Sequence, residues 1–230
     1  MKTIGLIGGM SWESSIEYYR LINQSVAEKL GGLHSARVLL YSLDFADIER
    51  IQCEDRWDDA ASVLTQAGIA LKQGGADFIL ICTNTMHKVA DVVEQKVGLP
   101  VVSIIDVTGS AIVKQGLKTV GLLGTRFVME EPFYRDRLCK GFNIDVIIPH
   151  AEGRGLIHHI IYDELCRGKI SEDSRRACIE IMKQMKSDGA EGVILGCTEL
   201  PLLIHPRDID VPVFDTSRLH AEAAVNLAMT

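Results

Sequence analysis

The stretch Thr3-Ile4-Gly5-Leu6-Ile7-Gly8 returns 116 residues later as Thr119-Val120-Gly121-Leu122-Leu123-Gly124. Each copy is a short apolar, β-branched run closed by glycine, which reads as a strand buried on both faces. Working outward, Gly75-Ala76-Asp77-Phe78-Ile79-Leu80 is matched by Gly189-Ala190-Glu191-Gly192-Val193-Ile194 at an offset of 114, and Leu99-Pro100-Val101 by Val211-Pro212-Val213 at 112. Three matches in one order at nearly one offset mark an internal duplication. The expected architecture is α/β, with two pseudo-symmetric domains. Each is a mostly parallel sheet flanked by helices. Residues 1–100 together with 211–230 are assigned to the first domain and 101–210 to the second.

Strands are expected at Thr3–Gly8, Arg37–Leu43, Phe78–Ile81, Val101–Ile104, Thr119–Leu123, Ile144–Ile147, Val193–Leu195 and Val213–Phe214. Between them, Trp12–Leu30 places Ile16, Tyr19, Ile22, Val26 and Leu30 on one helical stripe, stopped by Gly31-Gly32. Asp55–Gln73 stops likewise at Gly74-Gly75, and the last helix, Ser217–Met229, is expected to return onto the first half.

The 230 residues carry 24 Lys plus Arg against 31 Asp plus Glu, a net charge of −7. With 47% hydrophobic and 24% charged residues this is ordinary globular composition, and disorder, collagen-like repeats and coiled coil are excluded. The acidic balance argues against nucleic acid or an anionic membrane surface as partner. There is no apolar run of membrane-spanning length, and Met1–Met10 lacks the pattern of a signal peptide. Six cysteines without a C-x-x-C pair read as reduced thiols in a cytoplasmic protein, and no zinc motif is present.

In open α/β sheets ligands sit beyond the carboxyl ends of the strands. Those ends carry Gly8-Gly9-Met10-Ser11 and Gly124-Thr125-Arg126 in the first pair of copies. In the second pair they carry Cys82-Thr83-Asn84-Thr85-Met86-His87 and Cys197-Thr198-Glu199-Leu200-Pro201. Two related halves thus present polar, reactive residues to a shared interdomain cleft that suits a small substrate gripped from both sides. No G-x-G-x-x-G or P-loop pattern supports a nucleotide. Cys197, at a strand end between Gly196 and Thr198, is the thiol with the setting of a nucleophile or base, and helix N-terminal amides are expected to lower its pKa. Asn84, Thr85, Thr125 and Thr198 are neutral hydrogen-bond donors at these same strand ends. His87 is read either as orienting a reactive group or as a helix cap. His158 and His159 are read as solvated, and Met182 and Met185 as core.

Taken together, Gly8-Gly9-Met10-Ser11-Trp12, Thr83-Asn84-Thr85-Met86-His87 and Gly196-Cys197-Thr198-Glu199 resemble the aspartate/glutamate racemase family along the whole chain. The resemblance implies a two-domain enzyme that uses neither pyridoxal phosphate nor metal, so no cofactor is expected. It also implies an amino-acid substrate and a homodimer. In that family one cysteine from each half flanks the substrate α-carbon; one thiolate removes the α-proton and the other thiol returns a proton from the far side. Here the first motif has Thr83 where the family has cysteine. The ungapped match of Gly75-Ala76-Asp77 to Gly189-Ala190-Glu191 sets Thr83, not Cys82, opposite Cys197. A one-residue slip at a strand end turns a side chain to the other face, so Cys82 is expected in packing. The catalytic pair is then Thr83 and Cys197, and a preference for L-aspartate or L-glutamate follows from the lone cysteine. By the same resemblance, Gln52 (with Arg50 nearby) and Arg167 contact the substrate, Arg167 at a distal carboxylate. Glu199 assists Cys197, and Met10 completes the substrate-binding set. A single-cysteine decarboxylase of the same superfamily and a non-catalytic binder of acidic amino acids are the alternatives.

Overall fold

The computed structural model describes residues 1–230. Seven strands and eleven α-helices alternate: β1 (Ile4–Gly8), α1 (Trp12–Leu30), β2 (Val38–Ser42), α2 (Phe45–Cys53), α3 (Trp57–Gln73), β3 (Phe78–Ile81), α4 (Ala90–Val97), α5 (Ile104–Lys114), β4 (Thr119–Gly124), α6 (Arg126–Glu130), α7 (Pro132–Phe142), β5 (Asp145–Ile147), α8 (Ala151–His159), α9 (Glu172–Ser187), β6 (Gly192–Gly196), α10 (Leu200–Leu203), β7 (Val213–Asp215) and α11 (Thr216–Met229). The chain divides into two compact units, Met1–Ser103 with His220–Thr230, and Ile104–Leu219.

In the first unit a three-stranded parallel sheet runs in the order β2-β1-β3. Strand alternation separates its two cores. Ile7, Ile79 and Ile81 face α2, α3 and α4, where Ile48, Leu64, Ala67 and Val93 cover them. Ile4, Leu6, Phe78 and Leu80 face α1 and α11, meeting Tyr18, Ile22, Val26, Ala221, Ala224 and Val225. Helix α11 therefore supplies part of the core that the first strand begins.

The second unit repeats the plan with one strand more, in the order β5-β4-β6-β7, all parallel. Leu123, Val193 and Leu195 point toward α8 and α9, among Ile157, Cys178, Met182 and Met185. Val120, Leu122, Ile194 and Phe214 point toward α5 and α7, among Ile104, Ile112, Tyr134 and Leu138. Both sheets end in glycine beside the next element: at Gly196 a Cβ would lie 2.8 Å from the Leu123 carbonyl oxygen, so no larger residue fits there.

Four expectations are corrected. Residues 211–219 belong to the second unit, because β7 pairs with β6 through Val193–Val213, Ile194–Phe214 and Leu195–Asp215. Val101–Ile104 forms only a single bridge, Ile79 with Val101, before α5 begins at Ile104. The helix expected from Asp55 starts at Trp57, and a separate helix, α2, precedes it. Asp44 caps α2 by accepting a hydrogen bond from Ala46 N–H, and Asp55, at φ 54°, makes the turn between the two helices. On α1 the buried face is Ser14, Ser15, Tyr18, Leu21, Ile22, Ser25 and Val26, whereas Ile16, Tyr19 and Leu30 are exposed. Ser15 tucks against β1 at Gly8, which leaves no room for more: a Cβ there would meet Ser15 Oγ at 2.6 Å.

Candidate active site

In the second unit β4 and β6 are neighbours, with Gly124 level with Gly196. The residues that follow, Thr125 and Cys197, therefore emerge side by side at the carboxyl end of the sheet. Thr125 caps α6, its Oγ1 accepting from Val128 N–H at 3.4 Å. Cys197 continues the face of Val193 and Leu195 and is buried, as are Thr198 and Glu199. The Cys197 thiol donates to Glu199 Oε2 at 2.9 Å, and Thr198 Oγ1 donates to the same oxygen at 3.0 Å. One carboxylate oxygen thus collects two donors in a dry setting.

The expectation that backbone amides lower the Cys197 pKa is reversed. Burial raises it well above the ordinary thiol value, and the charge of Glu199 raises it further. Helix α10 spans a single turn, Leu200–Leu203, and offers little dipole to oppose them. In this state Cys197 is a thiol, hydrogen-bonded to the group best placed to receive its proton.

In the first unit β1 and β3 are neighbours, with Ile7 level with Ile81. Gly9-Met10-Ser11 and Cys82-Thr83-Asn84 therefore leave the same edge. Gly9, at φ 84°, lies so close to Leu43 that a Cβ would fall 2.2 Å from its carbonyl oxygen. Its N–H donates to Ser15 Oγ, which in turn donates to Ser11 C=O. Cys82 continues the face of Phe78 and Leu80 into the core against α1 and α11, and burial pushes its thiol pKa up. Thr83 is partly exposed, while Asn84 and Thr85 are buried.

His87, in the 3-10 turn Thr85–Val89, reaches back one turn, its Nδ1 lying 2.8 Å from the Thr83 carbonyl oxygen. A carbonyl only accepts, so Nδ1 carries the hydrogen. Behind it stands His220 of α11, edge-on at 5.8 Å between ring centres. His220 Nε2–H donates to Val102 C=O and Nδ1 accepts from Tyr18 O–H, both at 2.8 Å. Burial and the neighbouring His87 hold the His220 pKa down to about 3, so this ring is neutral. His87 ties down the Thr83 carbonyl, and His220 packs behind the His87 ring while bonding Val102 and Tyr18. His87, read from the sequence either as orienting a reactive group or as a helix cap, bonds a backbone carbonyl; nothing in the sequence near His220 points to position 83.

The profile of the Asp/Glu/hydantoin racemase family matches residues 7–224. The chain belongs to this family. It is similar over its full length to a candidate Asp/Glu racemase from Yersinia pestis, at 52% identity and a TM-score of 0.93, with all of both chains covered. It is also similar to an aspartate racemase homologue from Pyrococcus horikoshii OT3, at 36% identity and a TM-score of 0.86, again with all of both chains covered. The broad-specificity amino-acid racemase RacX of Bacillus subtilis is 22% identical over 176 residues, 74% of this chain and 72% of that protein. The α/β architecture of parallel sheets flanked by helices is therefore that of the racemase family.

Within this racemase fold the remaining predicted contacts are distributed unevenly. Gln52 is buried on α2, its Nε2 donating to Met86 Sδ at 3.0 Å, and Arg50 is an exposed ion-pair partner of Asp47. The Met10 side chain is packed into the core with Ile48 and Met86, so what the Met10 segment can offer a ligand is backbone. Arg167 is turned to solvent, with a 3.1 Å ion pair to Asp163. His158 is corrected from solvated to half-buried: it accepts from Arg126 N–H at 3.3 Å and stacks against Tyr162 at 4.6 Å between centres, and burial lowers its pKa. His159 is exposed and pairs with Asp163. No three His, Cys, Asp or Glu side chains gather in an arrangement that could hold a metal ion.

Proposed function

We propose that this chain inverts the α-carbon of aspartate or glutamate without pyridoxal phosphate or metal, with Cys197 and Thr83 exchanging protons on opposite faces of that carbon. The observation that carries the reading is the buried Cys197–Glu199 hydrogen bond of 2.9 Å, in a chain of the racemase family. Glu199 receives the Cys197 proton when substrate binds, and the thiolate then removes the α-hydrogen. The resulting carbanion is planar, and donors of the kind held by Asn84, Thr85, Thr125 and Thr198 stabilise its carboxylate. The Thr83 hydroxyl protonates the far face and recovers its hydrogen from water, while Glu199 returns its proton to solvent, so the balance closes.

The two sides are unequal. A threonine hydroxyl has no appreciable ionised fraction near neutral pH, so removal of the α-hydrogen begins only from the cysteine side. By family resemblance that side serves the L-enantiomer. In D₂O, L-aspartate or L-glutamate is expected to exchange its α-hydrogen faster than the D-form, with part of the exchange occurring with retention. Equal initial exchange rates for the two enantiomers, or binding of the L-form with no exchange at all, would overturn the reading. The second of those outcomes would point to a binding protein.

A further inference from the structure

We infer that the second unit carries a further small-molecule site, a cavity at the open edge of β7 that takes an α-amino acid with an apolar side chain. The inference stands apart from the catalytic reading. The cavity has a volume of about 290 Å³. Close-packed interiors leave few voids larger than a water molecule, and small-ligand pockets begin at about 300 Å³. None of Thr125, Cys197, Thr198 or Glu199 lines it.

Its position follows from the short elements around it. Strand β7 has three residues and pairs only with β6, so its other edge is open. Leu195 and Ile204, of the core facing α8 and α9, line the cavity together with Ala111 and Phe214, of the core facing α5 and α7. Walls drawn from both sheet faces place the cavity across that open edge. Beside it α10 makes a single turn, and irregular chain at Ile204-His205 completes the wall.

The class of ligand follows from the chemistry of the walls. The interior is hydrocarbon, and the charges stand at the rim. Arg218, in the first turn of α11, is exposed there, and Asp215 immediately precedes that helix. The Arg218 guanidinium has no carboxylate partner, because Asp215 is turned to Ser217 Oγ–H and Arg218 N–H, both of which donate to its Oδ1. Asp215 Oδ2 is left open. A cation and an anion within one helical turn, at the mouth of an apolar cavity, match the carboxylate and ammonium of a zwitterion. The strand edge adds backbone groups. Val193 N–H donates to Pro212 C=O, so Pro212 and Phe214 bond toward β6, leaving Val213 C=O and Asp215 N–H turned away from it. His205 brings no charge, since its ring accepts from Asp208 N–H. An acidic side chain would bury a second carboxylate among Leu195, Ile204 and Phe214 with no cation to meet it, so aspartate and glutamate are excluded.

Isothermal titration of the intact chain with L-phenylalanine, and with L-leucine, is expected to show one saturable site with a Kd below about 5 mM. 3-Phenylpropionate, which lacks the ammonium, and 2-phenylethylamine, which lacks the carboxylate, should each bind about tenfold more weakly or worse. L-Glutamate should not displace phenylalanine. Arg218→Ala should weaken phenylalanine binding by about tenfold or more, and Ala111→Leu, which narrows the cavity without touching a charge, should abolish it. In case the Ala111 variant fails to fold, Asp215→Asn gives a further test: asparagine keeps the helix cap but loses the anion, and should weaken binding by about tenfold. The absence of saturable binding by both amino acids overturns the inference. So does binding that L-glutamate displaces, or that survives Arg218→Ala unchanged.

Discussion

Replacing Glu199 with glutamine removes one negative charge and leaves the shape of the Cys197 pocket unchanged. Sγ and Oε2 are 2.9 Å apart, and both residues are buried. Two unit charges at that separation repel by about 1.4 kcal/mol even at the dielectric of water, and by several times more at an effective value near 20. Burial remains the first cause of the raised Cys197 pKa, but the charge contribution disappears. Alkylation of Cys197 by iodoacetamide at neutral pH should therefore accelerate by about tenfold or more. Racemisation should fall by about 10²-fold or more, because glutamine cannot accept the thiol proton. Mass-mapped peptides separate Cys197 from the exposed Cys53 and Cys139, which serve as internal rate standards. The opposed directions are the signature. Unchanged alkylation with unchanged turnover would show that the Glu199 charge does not govern the thiol.

Restoring the family residue with Thr83→Cys should raise activity toward the D-enantiomers more than toward the L-enantiomers; an equal change for both would remove position 83 from the reaction. Cys82→Ser should leave the specific activity of the folded protein unaltered while costing about 1–3 kcal/mol of stability, since a hydroxyl would replace a thiol among Phe78, Leu80 and Ala221; loss of turnover at full stability would contradict that placement. His220 is neutral in the folded chain and titrates normally when unfolded, so the unfolded state binds the extra proton as pH falls below about 6.5. Stability should decline by about 1.4 kcal/mol per pH unit from there toward pH 3. His220→Gln should make the loss between pH 7 and 5 smaller by about 2 kcal/mol, measured by urea unfolding at the two pH values; an identical loss would refute it.

Strands were the legible part of this chain. Phe78–Ile81 has the bounds expected, and β1, β2, β4, β5 and β6 each lie within a residue or two; the central strands β1, β3, β4 and β6 are buried throughout or nearly so and write themselves as unbroken apolar runs. The extent of α1 was equally plain, but not its buried face. Gly8 lets serine rather than isoleucine approach the sheet, and that selection is made by β1, outside the helix. Helix α2 was missed because Asp44-Phe45-Ala46-Asp47 looks like a turn until its cap is seen. At the site, position in the strand placed Cys82 and Cys197 on their faces through simple alternation. The sign of the Cys197 pKa shift was not legible, since it depends on how deeply the thiol is buried and where Glu199 aims its oxygen.

The route of the chain through its cores has a consequence for synthesis. Residues 104–219 are contiguous, so once they have left the ribosome nothing that follows is needed to complete their sheets and cores. The first unit has no such independence. Its α1-side core waits for Ala221, Ala224, Val225 and Ala228, and the ring behind His87 belongs to His220. Until those residues arrive, α1 alone, through Tyr18, Ile22 and Val26, covers that face of the sheet. Vectorial folding is inverted here: the unit that starts first closes after the one that follows it, and a chain cut before residue 220 yields one sound unit and one whose Ile4, Leu6 and Phe78 are covered by α1 alone.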